Sequence, residues 1–123
     1  MSRVADTSFL IAAFDLDDKR RQEALRWLRD PEAIIIVPEV LGETLGVTHR
    51  RAGYASAIDL WQHLLSLPQV EILETTEVEA IADAFKRGRG KLSWVDAAVV
   101  AACATWGARP LCDDKEILRE LGS

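Results

Sequence analysis

The sequence predicts an α/β fold with a central parallel sheet and helices on both of its faces. Two observations carry that expectation. Short apolar runs alternate with amphipathic stretches along the whole chain, and the richest of them, Ala33-Ile34-Ile35-Ile36-Val37, has the β-branched content of a strand buried on both faces. The stretch Leu92 to Trp106, LSWVDAAVVAACATW, carries Asp96 as its only carboxylate. On a helix its apolar residues point in every direction, so it is expected to be buried on most sides. A carboxylate taken out of water is costly unless it is paired, hydrogen-bonded or bound to metal.

The remaining elements follow in order. Arg3-Val4-Ala5 leads directly into an acid. Asp6-Thr7-Ser8 then opens the apolar run Phe9 to Phe14, as a side-chain cap opens a helix. Lys19 to Arg29 forms a second amphipathic helix with Ala24, Leu25, Trp27 and Leu28 inward, ended by Asp30-Pro31. After the AIIIV strand, Pro38 suits the first turn of a helix running to about Arg51. Ala52-Gly53 stops it, and Tyr54 to Leu65 gives the next. Val70 to Leu73 reads as a short strand, and Thr76-Glu77-Val78-Glu79 as a capping box opening a helix to about Arg87. Lys86 to Lys91 is a basic, glycine-bearing loop. Gly107 stops the apolar helix, Arg109 to Cys112 is the last strand, and Lys115 to Leu121 the last helix.

At 123 residues the chain reads as one domain, 1–123, long enough to bury a core. Apolar residues at 49% and charged residues at 28% match a soluble globular protein, and no uninterrupted apolar run reaches the roughly 20 residues of a membrane span. The N-terminus lacks the pattern of a secretory signal, so a cytoplasmic address without membrane partners is expected. Cys103 and Cys112 lie in apolar surroundings and suit core positions better than a disulfide. His49 and His63 are isolated, which excludes a zinc spacing. Net charge is −5, which argues against nucleic-acid binding through a generally basic surface but allows a local basic rim.

Asp6, Glu43, Asp96 and Asp114 stand at element ends or on an apolar helix. In an open α/β sheet, ligands bind outside the carboxyl ends of the strands. Asp6 would follow the first strand and Asp113-Asp114 the last, while Asp96 opens a helix and Glu43 lies about a turn into one. Each also has a structural explanation. Asp6 and Asp114 suit helix N-caps. Asp96 stands three residues after Ser93, the spacing of a capping box. At 100° per residue, Glu43 falls at the edge of the apolar face of its helix, where a solvated glutamate is ordinary. Jointly the acids say more: Asp6 and Asp96 each lack a basic neighbour in sequence, and clustered carboxylates repel unless a cation joins them. An all-oxygen set suits Mg²⁺ or Mn²⁺.

Four segments, Val4-Ala5-Asp6-Thr7-Ser8-Phe9-Leu10-Ile11, Pro38-Glu39-Val40-Leu41-Gly42-Glu43, Leu92-Ser93-Trp94-Val95-Asp96-Ala97-Ala98 and Leu111-Cys112-Asp113-Asp114-Lys115-Glu116-Ile117, resemble in order and spacing the motifs of PIN-domain ribonucleases. The likeness is strongest to the VapC-type toxins of toxin–antitoxin pairs. The resemblance implies a three-layer α/β/α PIN-like fold and a Mg²⁺-dependent endoribonuclease, with Mn²⁺ as a substitute. It implies a homodimer and a cognate VapB-type antitoxin that blocks the acidic pocket. It assigns metal binding to Asp6, Glu43 and Asp96, with Asp114 as fourth acid, and supporting hydroxyls to Thr7 and Ser93. Cys112 departs from the family's usual threonine or serine, and Asp113 and Glu116 stay open as alternatives for the fourth acid.

Four acids without metal would repel RNA, so basic residues must contact phosphate at the rim. Lys86, Arg87, Arg89 and Lys91 are the first candidates and Arg50 and Arg51 the second; a solvated turn is the structural alternative. The rival function is a catalytically degenerate PIN-fold module that binds RNA or protein. A phosphoacceptor receiver domain fits poorly, because Pro38-Glu39 follows the AIIIV strand where that fold needs an aspartate.

Overall fold

The structure, a computed structural model, describes residues 2–15, 17–30, 32–111, 117 and 121. Among the described residues four strands, β1 (Arg3–Ala5), β2 (Ile34–Ile36), β3 (Val70–Ile72) and β4 (Arg109–Leu111), form one parallel sheet in the order β3-β2-β1-β4. Register is set by Val4 opposite Ile35 and Pro110, and by Ile35 opposite Glu71. Ile34, Ile35 and Ile36 are all buried, as a central strand covered on both faces requires. Pro110 has no N–H to give a ladder, and it sits on the edge strand β4, where none is needed on the outer side.

Helices α1 (Thr7–Phe14), α2 (Arg21–Arg29), α3 (Pro38–Ala52) and α4 (Tyr54–Ser66) connect β1 to β2 and β2 to β3, and α5 (Val78–Gly88) and α6 (Trp94–Trp106) connect β3 back to β4. The first two crossovers step one way across the sheet and the third steps back, so right-handed connections put the two groups of helices on opposite faces. The result is a parallel sheet between helical layers. Its core joins Val4, Leu10, Ile34 to Ile36, Val40, Leu64, Ile81, Val99, Val100 and Ile117. Cys103 is buried, while Cys112 lies outside the described residues, as do Asp113, Asp114 and Glu116 of the expected last motif. Ile117 and Leu121, from the expected last helix, are helical.

Four expectations need correction. The helix expected from Lys19 begins at Arg21, because Asp18 folds the chain into a turn: its carboxylate accepts the Arg20 backbone N–H at 2.8 Å. That hydrogen bond, followed by those of the Arg20 side chain, holds the Asp18 carboxyl below the usual range against the opposing effect of desolvation. The Thr76 capping box does not form. Helix α5 starts at Val78 without a side-chain cap, and the Thr76 hydroxyl instead donates to the Glu39 carboxylate of α3 at 2.8 and 3.1 Å. A long-range acceptor has replaced the local backbone one. Lys86 and Arg87 are wound into the last turn of α5 rather than lying in a loop. Finally, α6 is buried at Ala97 to Val100, Ala102 and Cys103, but Trp94 and Trp106 at its ends are exposed.

Two glycines set where α5 and α6 end. Gly107 closes α6 at φ 60°, in the left-handed region that costs other residues a Cβ clash. Gly88 is needed for closeness instead: a Cβ there would meet Leu92 Cγ at 2.9 Å, Cδ1 at 3.0 Å and Cβ at 3.1 Å. Leu92 is itself buried, and its Cβ cannot swing aside. Gly88→Ala is therefore expected to destabilise the fold by about 1–3 kcal/mol, the usual cost of overpacking, although alanine is the better helix former. Thermal denaturation of the purified variant checks it; an unchanged or raised melting temperature contradicts the close approach.

Candidate active site

The connections reverse direction between β1 and β4, and the crevice outside the carboxyl ends of those two strands is where such sheets bind ligands. Asp6 stands there. It follows β1, its backbone N–H donates to the Leu111 carbonyl at the end of β4 (3.3 Å), and it is 4% exposed. Its side chain caps α1: Oδ1 accepts the Phe9 N–H at 2.7 Å, and the Ser8 hydroxyl donates to Oδ1 and Oδ2 at 3.0 Å. The capping explanation is thus correct as geometry. It leaves a buried carboxylate fixed at the topological switch point. Ser8 was not among the expected site residues; a hydroxyl two places after a capping aspartate was the signal for it. The neighbouring Thr7 Oγ1 is buried with no hydrogen-bond partner, a donor or acceptor available to a ligand.

Asp96 lies in the first turn of α6. The Ser93 hydroxyl oxygen accepts the Asp96 backbone N–H at 3.0 Å, which makes Ser93 the N-cap, and the Asp96 side chain is half-buried. Helix α6 packs on β1 and β4 and runs antiparallel to the strands, so its N-terminus is at the same edge of the sheet as Asp6. Helices α1 and α3 also begin at that edge, straight after β1 and β2. Three positive helix ends therefore face one side, which favours carboxylates and bound anions there.

Glu43 is less committed. It is exposed, five residues into α3 and so about 7.5 Å below the helix start, while Val40 and Thr44 are the buried positions of that helix. Among the described residues no three His, Cys, Asp or Glu side chains form a group able to hold a metal ion, so Asp6, Glu43 and Asp96 do not make one by themselves. Asp114 and its alternatives, Asp113 and Glu116, lie outside the described residues. The donors in place, two carboxylates at one edge and an unpartnered hydroxyl, are all oxygen. They fit Mg²⁺, which keeps several waters and takes one or two carboxylates with substrate phosphate, better than they fit a cage-bound ion. A concavity of about 690 Å³ lined in part by Phe14, Leu25, Val47, Leu60 and His63 contains none of these acids.

The basic residues are at the same edge. Lys86 and Arg87 in the last turn of α5, and Arg89 and Lys91 between α5 and α6, are all exposed. His49 and His63 are exposed on helices, as expected, with the His63 ring edge-on to Phe14 at 5.2 Å. No described helix is long and apolar enough to cross a membrane.

The PIN-domain family model matches residues 3–121. VapC20 of Mycobacterium tuberculosis, a sarcin-ricin loop cleaving toxin, superposes with a TM-score of 0.80 at 26% identity, over 97% of this chain and 94% of that one. VapBC2 from Rickettsia felis, bound to a DNA fragment from its promoter, gives 0.73 at 14% identity over 97% and 92% of the two chains. A protein from Pyrobaculum aerophilum gives 0.70 at 19% identity over 99% and 81%. The latter two likenesses speak to the fold alone. A sequence comparison with curated proteins found no match. With the family model spanning nearly every residue and the first and third motifs seated at one edge of the sheet, the chain belongs to the PIN-domain family.

Proposed function

We propose that this protein is a Mg²⁺-dependent endoribonuclease, with Mn²⁺ as a substitute ion, and the toxin of a VapBC-type toxin–antitoxin pair. The observation that carries the reading is the buried Asp6 carboxylate at the switch point of a PIN fold. The structural likeness to VapC20, a sarcin-ricin loop cleaving toxin, supports RNA as the substrate.

Asp6 and Asp96 would hold the ion, with Asp114 or one of its neighbours and Glu43 acting directly or through water. When bound, the ion lowers the pKa of water and offsets charge on the scissile phosphate. The chain's own part is positional. The Phe9 N–H and Ser8 hydroxyl fix the Asp6 carboxylate before any ligand arrives, so no reorganisation is needed on binding. The buried Thr7 Oγ1, next in sequence to Asp6, would supply a further oxygen, and the Ser93 cap sets the first turn that carries Asp96. Lys86, Arg87, Arg89 and Lys91 hold the RNA backbone at the rim. A VapB-type antitoxin, a homodimer and a cytoplasmic location complete the proposal.

Removing metal tests it. Total RNA incubated with the protein and Mg²⁺ should gain discrete new ends, mapped by sequencing, that disappear with excess EDTA and return when Mg²⁺ is restored in excess. The same ends persisting in EDTA would rule the mechanism out. The absence of a three-acid group among the described residues favours the rival, a degenerate PIN module that binds without cutting. Calorimetry with Mg²⁺ separates the two, since that module has no need to take up the ion.

A further inference from the structure

Outside the acids, the most unusual surface feature is a pair of aromatic rings. Phe85 on α5 and Trp94 at the start of α6 are 40% and 39% exposed, and their rings meet edge to face with centroids 5.7 Å apart and planes at 61°. Helix α5 anchors itself through Ile81, Ala84 and Gly88, which leaves Phe85 on the outer side. The close seating of Leu92 over Gly88 fixes the loop that brings the two rings together.

The surroundings are cationic in a chain of net charge −5. Lys86, Arg87, Arg89 and Lys91 flank the rings, and Asp83, one turn before Arg87 on α5, is the one acid between residues 83 and 91. Arg89 is the sole non-glycine at positive φ among the described residues, at 48°. That is the helix C-cap position where glycine is favoured, so an arginine is kept there against backbone preference. Exposed rings with exposed cations between them in the chain match a polyanion that carries flat bases. A duplex hides the faces of its bases, whereas single-stranded loops offer them.

We propose that the Phe85–Trp94 pair is a stacking platform for an unpaired base of single-stranded RNA, with the four cations gripping the backbone on either side. Trp94 and Asp96 are two residues apart on α6, hence about 200° apart around a helix roughly 10–12 Å wide. The platform therefore takes a base flanking the cut and not the base at the cut. This last point rests on the nuclease reading; the binding itself does not.

The test uses the full chain carrying Asp96→Asn, so that RNA is bound without being cut, and follows a short labelled single-stranded RNA by fluorescence anisotropy. Adding Trp94→Leu is expected to weaken binding by about 10-fold or more, Phe85→Leu to weaken it less, and Trp94→Phe to restore it to within about 3-fold of the parent. In the otherwise wild-type chain, Trp94→Leu should raise KM for RNA cleavage more than it lowers kcat. Equal affinity of the Trp94→Leu and parent proteins, with circular dichroism unchanged, overturns the proposal, as does a parent that does not bind single-stranded RNA. Unchanged RNA affinity together with loss of a dimer on size-exclusion chromatography also overturns it, and makes the rings an interface between copies of the chain. RNA binding that depends on Trp94 in a protein that cuts nothing upholds the platform and defeats the nuclease reading. RNA cutting that ignores Trp94 and Phe85 does the reverse.

Discussion

Replacing Asp6 by asparagine should abolish RNA cleavage and leave the fold standing, whereas replacing it by alanine should damage both. The difference follows from the helix cap that this side chain makes and the metal-binding role proposed for it. Asparagine is as good an N-cap as aspartate, and its carbonyl oxygen can still accept the Phe9 N–H now bonded at 2.7 Å. It lacks the charge that a divalent ion needs. Alanine removes the acceptor as well, leaves a buried N–H unsatisfied and costs about 0.5–2 kcal/mol, several degrees in melting temperature. Loss of an outer partner at a metal site typically costs roughly 10–100-fold in activity, and loss of a ligand should exceed that. Cleavage rate and thermal melting, measured on both variants, separate the roles. If Asp6→Asn keeps full activity, Asp6 is a helix cap and nothing else.

Asp96→Asn should likewise lose activity by more than about 100-fold, with a stability change of no more than about 1 kcal/mol. The stability limit comes from position. Asp96 is in the first turn of α6, and what its charge gives the helix is the interaction with the positive N-terminal end, worth about 0.3–1 kcal/mol. The cap itself belongs to Ser93, whose oxygen accepts the Asp96 backbone N–H, and the substitution does not touch it. A purely structural Asp96 would show the opposite pattern: a small fall in melting temperature and unchanged cleavage at the same sites. Single-turnover cleavage of a mapped RNA target, with saturating Mg²⁺, gives the clearest reading.

The elements were legible where their signals are local. Ile34 to Ile36 could only be a buried strand, Pro38 and Gly53 bracket α3, and Ser93 and Gly107 bracket α6. Reading failed where a side chain found a distant partner. Thr76 has a good capping-box sequence, but Glu39, 37 residues away, took its hydroxyl. The exposed Phe85–Trp94 pair was also hidden, since the two residues look like ordinary apolar positions on two helices until the loop between them closes.

The acids divide in the same way. The amino-acid sequence alone determined the types of group available, carboxylates and hydroxyls without a zinc spacing, because chemistry is a property of residues. It also determined that Asp6 and Asp96 open helices, because a cap and the first turn are contacts within a few residues. Only the tertiary structure decided that the chain reverses between β1 and β4, which puts Asp6 at the switch point and the N-termini of α1, α3 and α6 at one edge. Strand order is fixed by pairing between segments far apart in the chain, and no local pattern encodes it.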